Sequence, residues 1–267
     1  MNELADLLTV AQQAVGLGYD LVRDTTPQEV RHKGDRDLVT EIDVRIEEEI
    51  RQFLGKMTPG IEFLGEEQGG QSNLDTEQDV WILDPVDGTS NFAHGLPLCA
   101  ISLALVRRGE PVVAAIVAPQ LGLRYYAAKG HGAFGNDGRL RVRQTTEPAN
   151  AIVSIGDYAV GPNAAAKNAI RLRLTALLAE RVERIRMFGT AALDLTWVAE
   201  GRIDATILLS NDPWDTSAGV LIARESGAKV VDGAGAVHGP QSTETIAAGE
   251  GVLSSVLDIV RQIGLDG

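Results

Sequence analysis

The chain has 267 residues, with 37 acidic against 24 basic side chains and a formal net charge of -13. That balance argues against nonspecific binding to nucleic-acid polymers or anionic membranes, and no apolar stretch reaches the roughly 20 residues of a membrane span. A single cysteine, Cys99, rules out a disulfide framework within the chain and a cysteine-rich zinc site, and it reads as a small buried thiol.

Residues 3–22 place Leu4, Leu7, Leu8, Ala11, Val15 and Leu21 at helical spacing, and Thr25-Thr26-Pro27 ends that helix. A second helix is predicted from Thr40 to about Leu54 on Ile42, Val44, Ile46, Ile50 and Leu54. Short strands at 61–64 and 79–83 precede a run of strands at 99–107, 111–118 and 122–127. Arg108-Gly109-Glu110 and Pro119-Gln120-Leu121 are turns, and Asn136-Asp137-Gly138 suits a tight hairpin. Beyond about residue 145 the pattern alternates. Strands are expected at 152–155, 185–187, 203–209, 229–232 and 245–248. Helices are expected at 163–180, 190–200, 216–225 and 252–263, with Gly201 and Gly227 as stops. The chain therefore divides into an α+β half, 1–145, and an α/β half, 146–267. Its acidic first residues lack the basic start of a signal peptide, so a cytoplasmic enzyme is expected.

Chemistry concentrates in Trp81-Ile82-Leu83-Asp84-Pro85-Val86-Asp87-Gly88-Thr89-Ser90-Asn91-Phe92. An apolar strand stops at two acids, and Pro85 and Gly88 turn the chain. Carboxylates this close repel unless a cation lies between them, and Mg²⁺ prefers oxygen ligands. Further acids stand at Asp37, Asp43, Glu66, Glu67 and Asp215. Asp215 lies at the apparent start of a helix, where negative charge or a bound phosphate is favoured. Taken singly, Asp215 is equally a helix cap and Glu66-Glu67 equally a pair of solvated acids, because spacing alone does not bring them together. His94, close to the motif, reads either as a substrate or water contact or as a loop hydrogen-bonding residue. His32, His131 and His238 lack zinc spacing, and Trp81, Trp197 and Trp214 read as packing residues.

Three separated blocks resemble the inositol monophosphatase family of Mg²⁺-dependent, lithium-sensitive phosphatases. They are Asp37-Leu38-Val39-Thr40-Glu41-Ile42-Asp43, Gly65-Glu66-Glu67 with Asp84 to Phe92, and Pro213-Trp214-Asp215-Thr216-Ser217-Ala218-Gly219. Gly130 to Asn136 and Gly189-Thr190-Ala191-Ala192 add to the match. The resemblance implies an α-β-α-β-α layered fold with an N-terminal antiparallel sheet and a C-terminal mixed sheet. It implies one Mg²⁺ on Glu66, Asp84 and the Val86 carbonyl, a second on Asp84, Asp87 and Asp215, and a weaker third near Glu66, with Mn²⁺ as substitute and Li⁺ and Ca²⁺ as inhibitors. Asp43 and Thr89 match the pair that activates water, with Glu66 also catalytic. Asp87, Gly88 and Thr89 match substrate-phosphate contacts, and Ala191 and Asp212 fall at the expected substrate pocket. Lys33, Glu67, Ser90, His94 and Asp194 are accessory candidates, Asp194 at the pocket rim. A homodimer is also implied.

The implied reaction is direct in-line attack of water on a phosphate monoester, with inositol 1-phosphate as first substrate. Inositol-preferring members carry a glutamate where this chain has Leu208. Histidinol phosphate, a 3′(2′),5′-bisphosphate nucleotide and a sugar bisphosphate therefore stay open. A noncatalytic regulator that kept the fold is the reading from a different class.

Overall fold

The computed structural model describes residues 3–23, 30–34, 37–69 and 78–264, with backbone alone for 30–34 and 37–40. In chain order the elements are α1 (Glu3–Arg23), β1 (Val30–Gly34), β2 (Asp37–Thr40), α2 (Glu41–Met57), β3 (Glu62–Gly65), β4 (Asp79–Asp87), α3 (Thr89–Ala93), β5 (Ala100–Arg107), β6 (Glu110–Ala118), β7 (Leu123–Ala128), β8 (Gly132–Gly135) and β9 (Gly138–Arg139). They continue as β10 (Ile152–Ile155), α4 (Ala164–Ala179), β11 (Arg184–Arg186), α5 (Ala191–Glu200), β12 (Ala205–Leu208), α6 (Pro213–Glu225), β13 (Lys229–Val231), β14 (Thr245–Ala248) and α7 (Glu250–Ile263).

Strands β3 to β9 form a seven-stranded sheet in sequence order, antiparallel except for the parallel β3–β4 pair. A second, mixed sheet of five strands runs β11-β10-β12-β14-β13. Helices α1 and α2 cover one face of the larger sheet, α5 and α6 lie between the sheets, and α4 and α7 cover the outer face of the smaller one. The expected α-β-α-β-α layering is present.

The central strands show why both faces are covered. In β5, Ile101, Leu103 and Leu105 enter the core with α1 and α2, while Ala100 and Ala104 enter the core with α5 and α6. Period-2 alternation puts bulk on one side and small residues on the other. That difference lets the middle helices approach closely. A Cβ at Gly219 of α6 would stand 2.6 Å from the Cβ of Leu195 on α5. In the smaller sheet, Val153, Ile155, Ala205 and Ile207 face α4 and α7, while Leu208, Val230 and Ala247 face inward.

Three details depart from expectation. The β1–β2 hairpin and the five-residue α3 carry no hydrophobic periodicity and were not anticipated. Helix α6 begins at Pro213 rather than Thr216, so Asp215 sits within its first turn. Proline fits there because a first-turn N–H has no intrahelical partner. Cys99 is buried as expected, its Sγ 3.1 Å from Oε1 of Gln120, and burial pushes its pKa up to about 12.

Candidate active site

Strand β4 delivers two acids to one side through a break in its pairing. Asp84 pairs with Ser102 of β5 and Asp87 with Ala100, so two residues on β4, Pro85 and Val86, stand against one on β5, Ile101. One extra residue reverses the alternation of a strand. Asp84 and Asp87 would otherwise point to opposite faces. The bulge contains Pro85, which has no N–H to give to the ladder. The turn is fixed at Gly88, with φ +89°. A Cβ there would be 2.8 Å from the Leu98 carbonyl oxygen and 3.1 Å from that of Gly189. Asn91 Nδ2 donates to the carbonyls of Leu98, at 2.8 Å, and Phe188, at 2.7 Å, which ties the loop to the segment before α5.

Asp87 receives three donors from that segment. Thr190 Oγ1 and Ala192 N donate to Oδ2 at 2.6 Å each, and Ala191 N to Oδ1 at 3.3 Å. Thr190 Oγ1 also accepts from Leu193 N at 3.3 Å, capping α5. Burial nevertheless lifts the Asp87 pKa to about 6. Asp84 receives a hydrogen bond from Val86 N at 3.0 Å. Burial raises its pKa well above the usual carboxylate range, and Glu66, Asp87 and Asp215 add repulsion. Asp215 is likewise raised well, by burial first, then by Asp87, Asp212 and Glu66.

On α2, the fully buried Asp43 accepts from Thr89: its Oδ1 lies 3.2 Å from Thr89 Oγ1, which is also 2.9 Å from the Val86 carbonyl. The single hydroxyl proton serves one of these acceptors at a time, leaving the oxygen's lone pairs open to a second donor. Residues 46 positions apart in sequence thus meet at the carboxylate cluster.

The other expected residues are placed as follows. Glu67 gives its backbone N–H to Glu47 Oε2 at 2.8 Å. Ser90 is exposed, and its carbonyl lies 2.8 Å from Nδ1 of the exposed His94. Asp212 precedes α6 and accepts through its backbone carbonyl from the N–H groups of Asp215 and Thr216. Asp194 does not stand at a rim: it is 1% exposed, Oδ1 has no hydrogen-bond partner among the described residues, and burial raises its pKa well above the ordinary value. Lys33 belongs to β1 by backbone, and its side chain lies outside the described residues. Trp81 donates to Thr58, Trp197 packs edge-on to Phe188, and Trp214 packs on Leu64, Val80, Ile82 and Val106.

Two residues escaped the sequence reading. Glu47, fully buried, accepts from Glu67 N, from Gln68 N at 3.1 Å and from Arg51 at 2.8 Å. It holds the turn that presents Glu66. An acid on the apolar face of α2, in line with Asp43, Ile46, Ile50 and Leu54, was the available signal. Asp157, just beyond β10, approaches the loop that holds Asp87: a Cβ on Gly189 would be 3.2 Å from its Oδ2. Gly156 before it packs against Leu208, at the end of the neighbouring β12. Burial raises the Asp157 pKa. No sequence pattern marked it.

Among the described residues no three acidic, histidine or cysteine side chains form a ready ligand cage. The fit to a cation rests on donor chemistry. The charges of Asp87 and Glu66 raise the proton affinity of Asp84 and Asp215, Glu66 raises that of Asp87, and all four acids offer hard oxygen.

The chain matches the profile of the inositol monophosphatase family over residues 3–263. It belongs to that family. It is 36% identical over 263 residues to an inositol-1-monophosphatase of Caulobacter vibrioides, covering 96% of this chain and 97% of the relative. A fructose-1,6-bisphosphatase/inositol-1-monophosphatase of Thermotoga maritima is 34% identical, with 86% and 85% covered. The crystal structure of the extragenic suppressor protein suhB from Bartonella henselae superposes with a TM-score of 0.86 at 34% identity, covering 97% and 99%. An IMPase/NADP phosphatase complexed with Mg²⁺ and phosphate superposes with a TM-score of 0.78 at 25% identity, covering 95% and 92%. The chain is therefore a phosphatase of this family.

Proposed function

We propose that this phosphatase hydrolyses a small phosphate monoester by direct attack of water, in a reaction dependent on Mg²⁺, with inositol 1-phosphate as first substrate. The observation that carries the reading is the Thr89–Asp43 hydrogen bond beside a buried cluster of acids in which Asp84 is repelled by Glu66, Asp87 and Asp215. Glu66, Asp84, Asp87, Asp215 and the Val86 carbonyl are the groups to hold the metal. Bound Mg²⁺ supplies charge neutralisation of the phosphate dianion and a lowered pKa for water. Thr89 accepts a hydrogen bond from the attacking water while giving its own proton to Asp43, which acts as the relay. Asp87, Gly88 and Thr89, where β4 ends and α3 starts, are the residues to meet the phosphate. Burial of Asp43 and Asp84 keeps bulk water from screening these charges.

Two observations favour a second substrate reading. Leu208 offers no hydroxyl acceptor, and Asp157, the residue after the glycine that meets Leu208, brings a carboxylate to the loop that holds Asp87. A phosphate ester carrying an amine, such as histidinol phosphate, suits that pair better than a neutral polyol. The deciding assay is phosphate release from inositol 1-phosphate, histidinol phosphate and adenosine 3′,5′-bisphosphate, each with Mg²⁺ and with chelator. Turnover of the inositol ester supports the first reading, and preference for the amine ester moves the substrate and keeps the chemistry. Turnover unchanged by chelator refutes the metal dependence. Thr89→Ala is expected to lower kcat by about 10²–10⁴-fold, the usual scale of proton-transfer catalysis. Recovery of that rate by extra Mg²⁺ would remove Thr89 from water positioning.

A further inference from the structure

A second cleft, of about 320 Å³, runs between α6, the β5–β6 turn and the segment joining β13 to β14. None of Glu66, Asp84, Asp87 and Asp215 lines it. Ser217, Val220 and Arg224 come from α6 at spacings of three and four, one face of the helix. Val106 and Pro111 form an apolar wall from the hairpin.

The charge in this cleft is unusual for so acidic a chain. Arg224 is half-buried and donates from Nη2 to the His238 carbonyl at 2.6 Å. Among the described residues it makes no ion pair with a carboxylate. Its neighbour Glu225 is turned away, accepting from Gly130 N at 2.8 Å and Gly132 N at 2.7 Å. Glu110, at the cleft edge, is paired with Lys129. Glu110 attracts Arg224 from beyond salt-bridge distance, but burial outweighs that pull and holds Arg224 below the ordinary arginine pKa, so the guanidinium loses water without a contacting carboxylate. Arg108 reaches the same cleft from a turn where its φ is 53°, an uncommon angle for a residue with a side chain. The His238 ring adds no charge near neutral pH. Its Nε2 is 3.0 Å from both Asn211 Oδ1 and Thr245 Oγ1, and burial lowers its pKa to about 4.

The geometry points to this cleft as a binding site for a compact organic anion, with its carboxylate or phosphate on Arg224 and a short apolar body along Val106, Pro111 and Val220. The volume is at the lower end of ligand pockets, roughly 300–1,000 Å³. The cleft also shares a framework with the acidic cluster. Asn211 accepts from Thr216 Oγ1 at 2.8 Å, and donates to the carbonyls of Gly239, at 3.3 Å, and Ser242, at 2.8 Å. It ties the cleft wall to the start of α6, the helix that presents Asp215.

The test is chemical-shift mapping of the whole protein with three probes: hexanoate, hexanol and inorganic phosphate. Saturable hexanoate shifts are expected at Val106–Gly109 and Val237–Gly239, weakened about 10-fold by Arg224→Gln, a loss of 1.4 kcal/mol. Hexanol and phosphate, each lacking half of the ligand, should bind the cleft more weakly. Ser217→Leu, which fills the cleft from the helix surface, should abolish the shifts and serves if Arg224→Gln does not fold. Hexanoate shifts confined to Gly88–Thr89 and Thr190–Ala192, equal binding in Arg224→Gln, or hexanol binding as tightly as hexanoate would each overturn the site.

Discussion

Asp84 and Asp87 lie three residues apart on one strand and are nearly equally buried, 2% and 7% exposed. Their surroundings differ. Asp84 meets Glu66, Asp87 and Asp215 and has the Val86 N–H as donor. Asp87 meets a hydroxyl and two N–H groups supplied by Thr190, Ala191 and Ala192, a hundred residues further along the chain. Those donors hold the Asp87 pKa to about 6 against the pull of burial, whereas Asp84 rises well above its ordinary value. The seven-stranded sheet brings the negative charge, and the segment leading into α5 makes part of it tolerable. The charge left at Asp84 is the part that a hard cation would answer.

The largest effect should separate the two acids directly. Asp84→Asn is expected to lower phosphate release by about 10³-fold, the scale of losing one preorganised electrostatic group. In metal-stripped protein near pH 7.5 the same change should raise the thermal midpoint by at least ~2 °C, equivalent to about 1 kcal/mol at this chain length, because it relieves repulsion. Asp87→Asn should also impair activity but give a smaller rise, since three donors lose their charged acceptor. Calorimetry with chelator decides: equal rises for the two variants would break the contrast.

The sequence made legible what is local and repetitive. The apolar run of β5 and the spacing on α1 set the layers, because burial on two faces leaves a continuous apolar signature. The acids at 84 and 87 were legible because Pro85 and Gly88 punctuate the strand. Their common direction was not, since it depends on a one-residue bulge seen only in the pairing with β5. Thr190 as a partner of Asp87 was equally hidden, because that contact spans 103 positions. Glu47 went unread, although an acid on an apolar helix face is a signal. Asp194 misled for the opposite reason: a polar residue near a motif suggests a rim, yet inward-facing α5 buries it. The family resemblance supplied the meeting of Asp43 with Thr89 that spacing could not.

The donors offer a milder test. Thr190→Val removes the hydroxyl from Asp87 at nearly constant shape, and about 10–100-fold loss of activity or metal affinity is expected, the range for partners of metal-binding groups. Metal titration by calorimetry, with rates on the same samples, measures both. Glu47→Gln should cost less, about 10-fold, because it loosens the turn carrying Glu66 without touching Glu66 itself. A larger loss for Glu47→Gln than for Thr190→Val would mean that the turn matters more than the donors to Asp87.

The smallest difference between proteins is expected in a pH slope, that of wild type against Thr190→Val in metal-stripped protein. Asp87 has its folded pKa raised from 3.8 to about 6, so between these values the folded state holds a proton that the unfolded chain has released. Stability contributed by that proton is complete below about pH 4 and is lost as pH rises through about 6, with a full amplitude of about 3 kcal/mol by linkage. Asp84 and Asp215 act with the same sign, being raised as well. His238 opposes them. Its pKa falls from 6.5 to about 4, so its contribution is present above about pH 6.5 and is lost as pH falls toward 4. A single profile therefore mixes two signs over nearly one window. The difference between wild type and Thr190→Val cancels His238 and leaves Asp87 with the two acids that feel its charge, Asp84 and Asp215. Without the hydroxyl that lowers its pKa, Asp87 should titrate higher, and the variant should keep losing stability above pH 6, where its parent levels off. Denaturant midpoints measured from pH 4 to 8 read this directly. Profiles that differ only by a constant offset would mean that Thr190 does not set the proton affinity of Asp87.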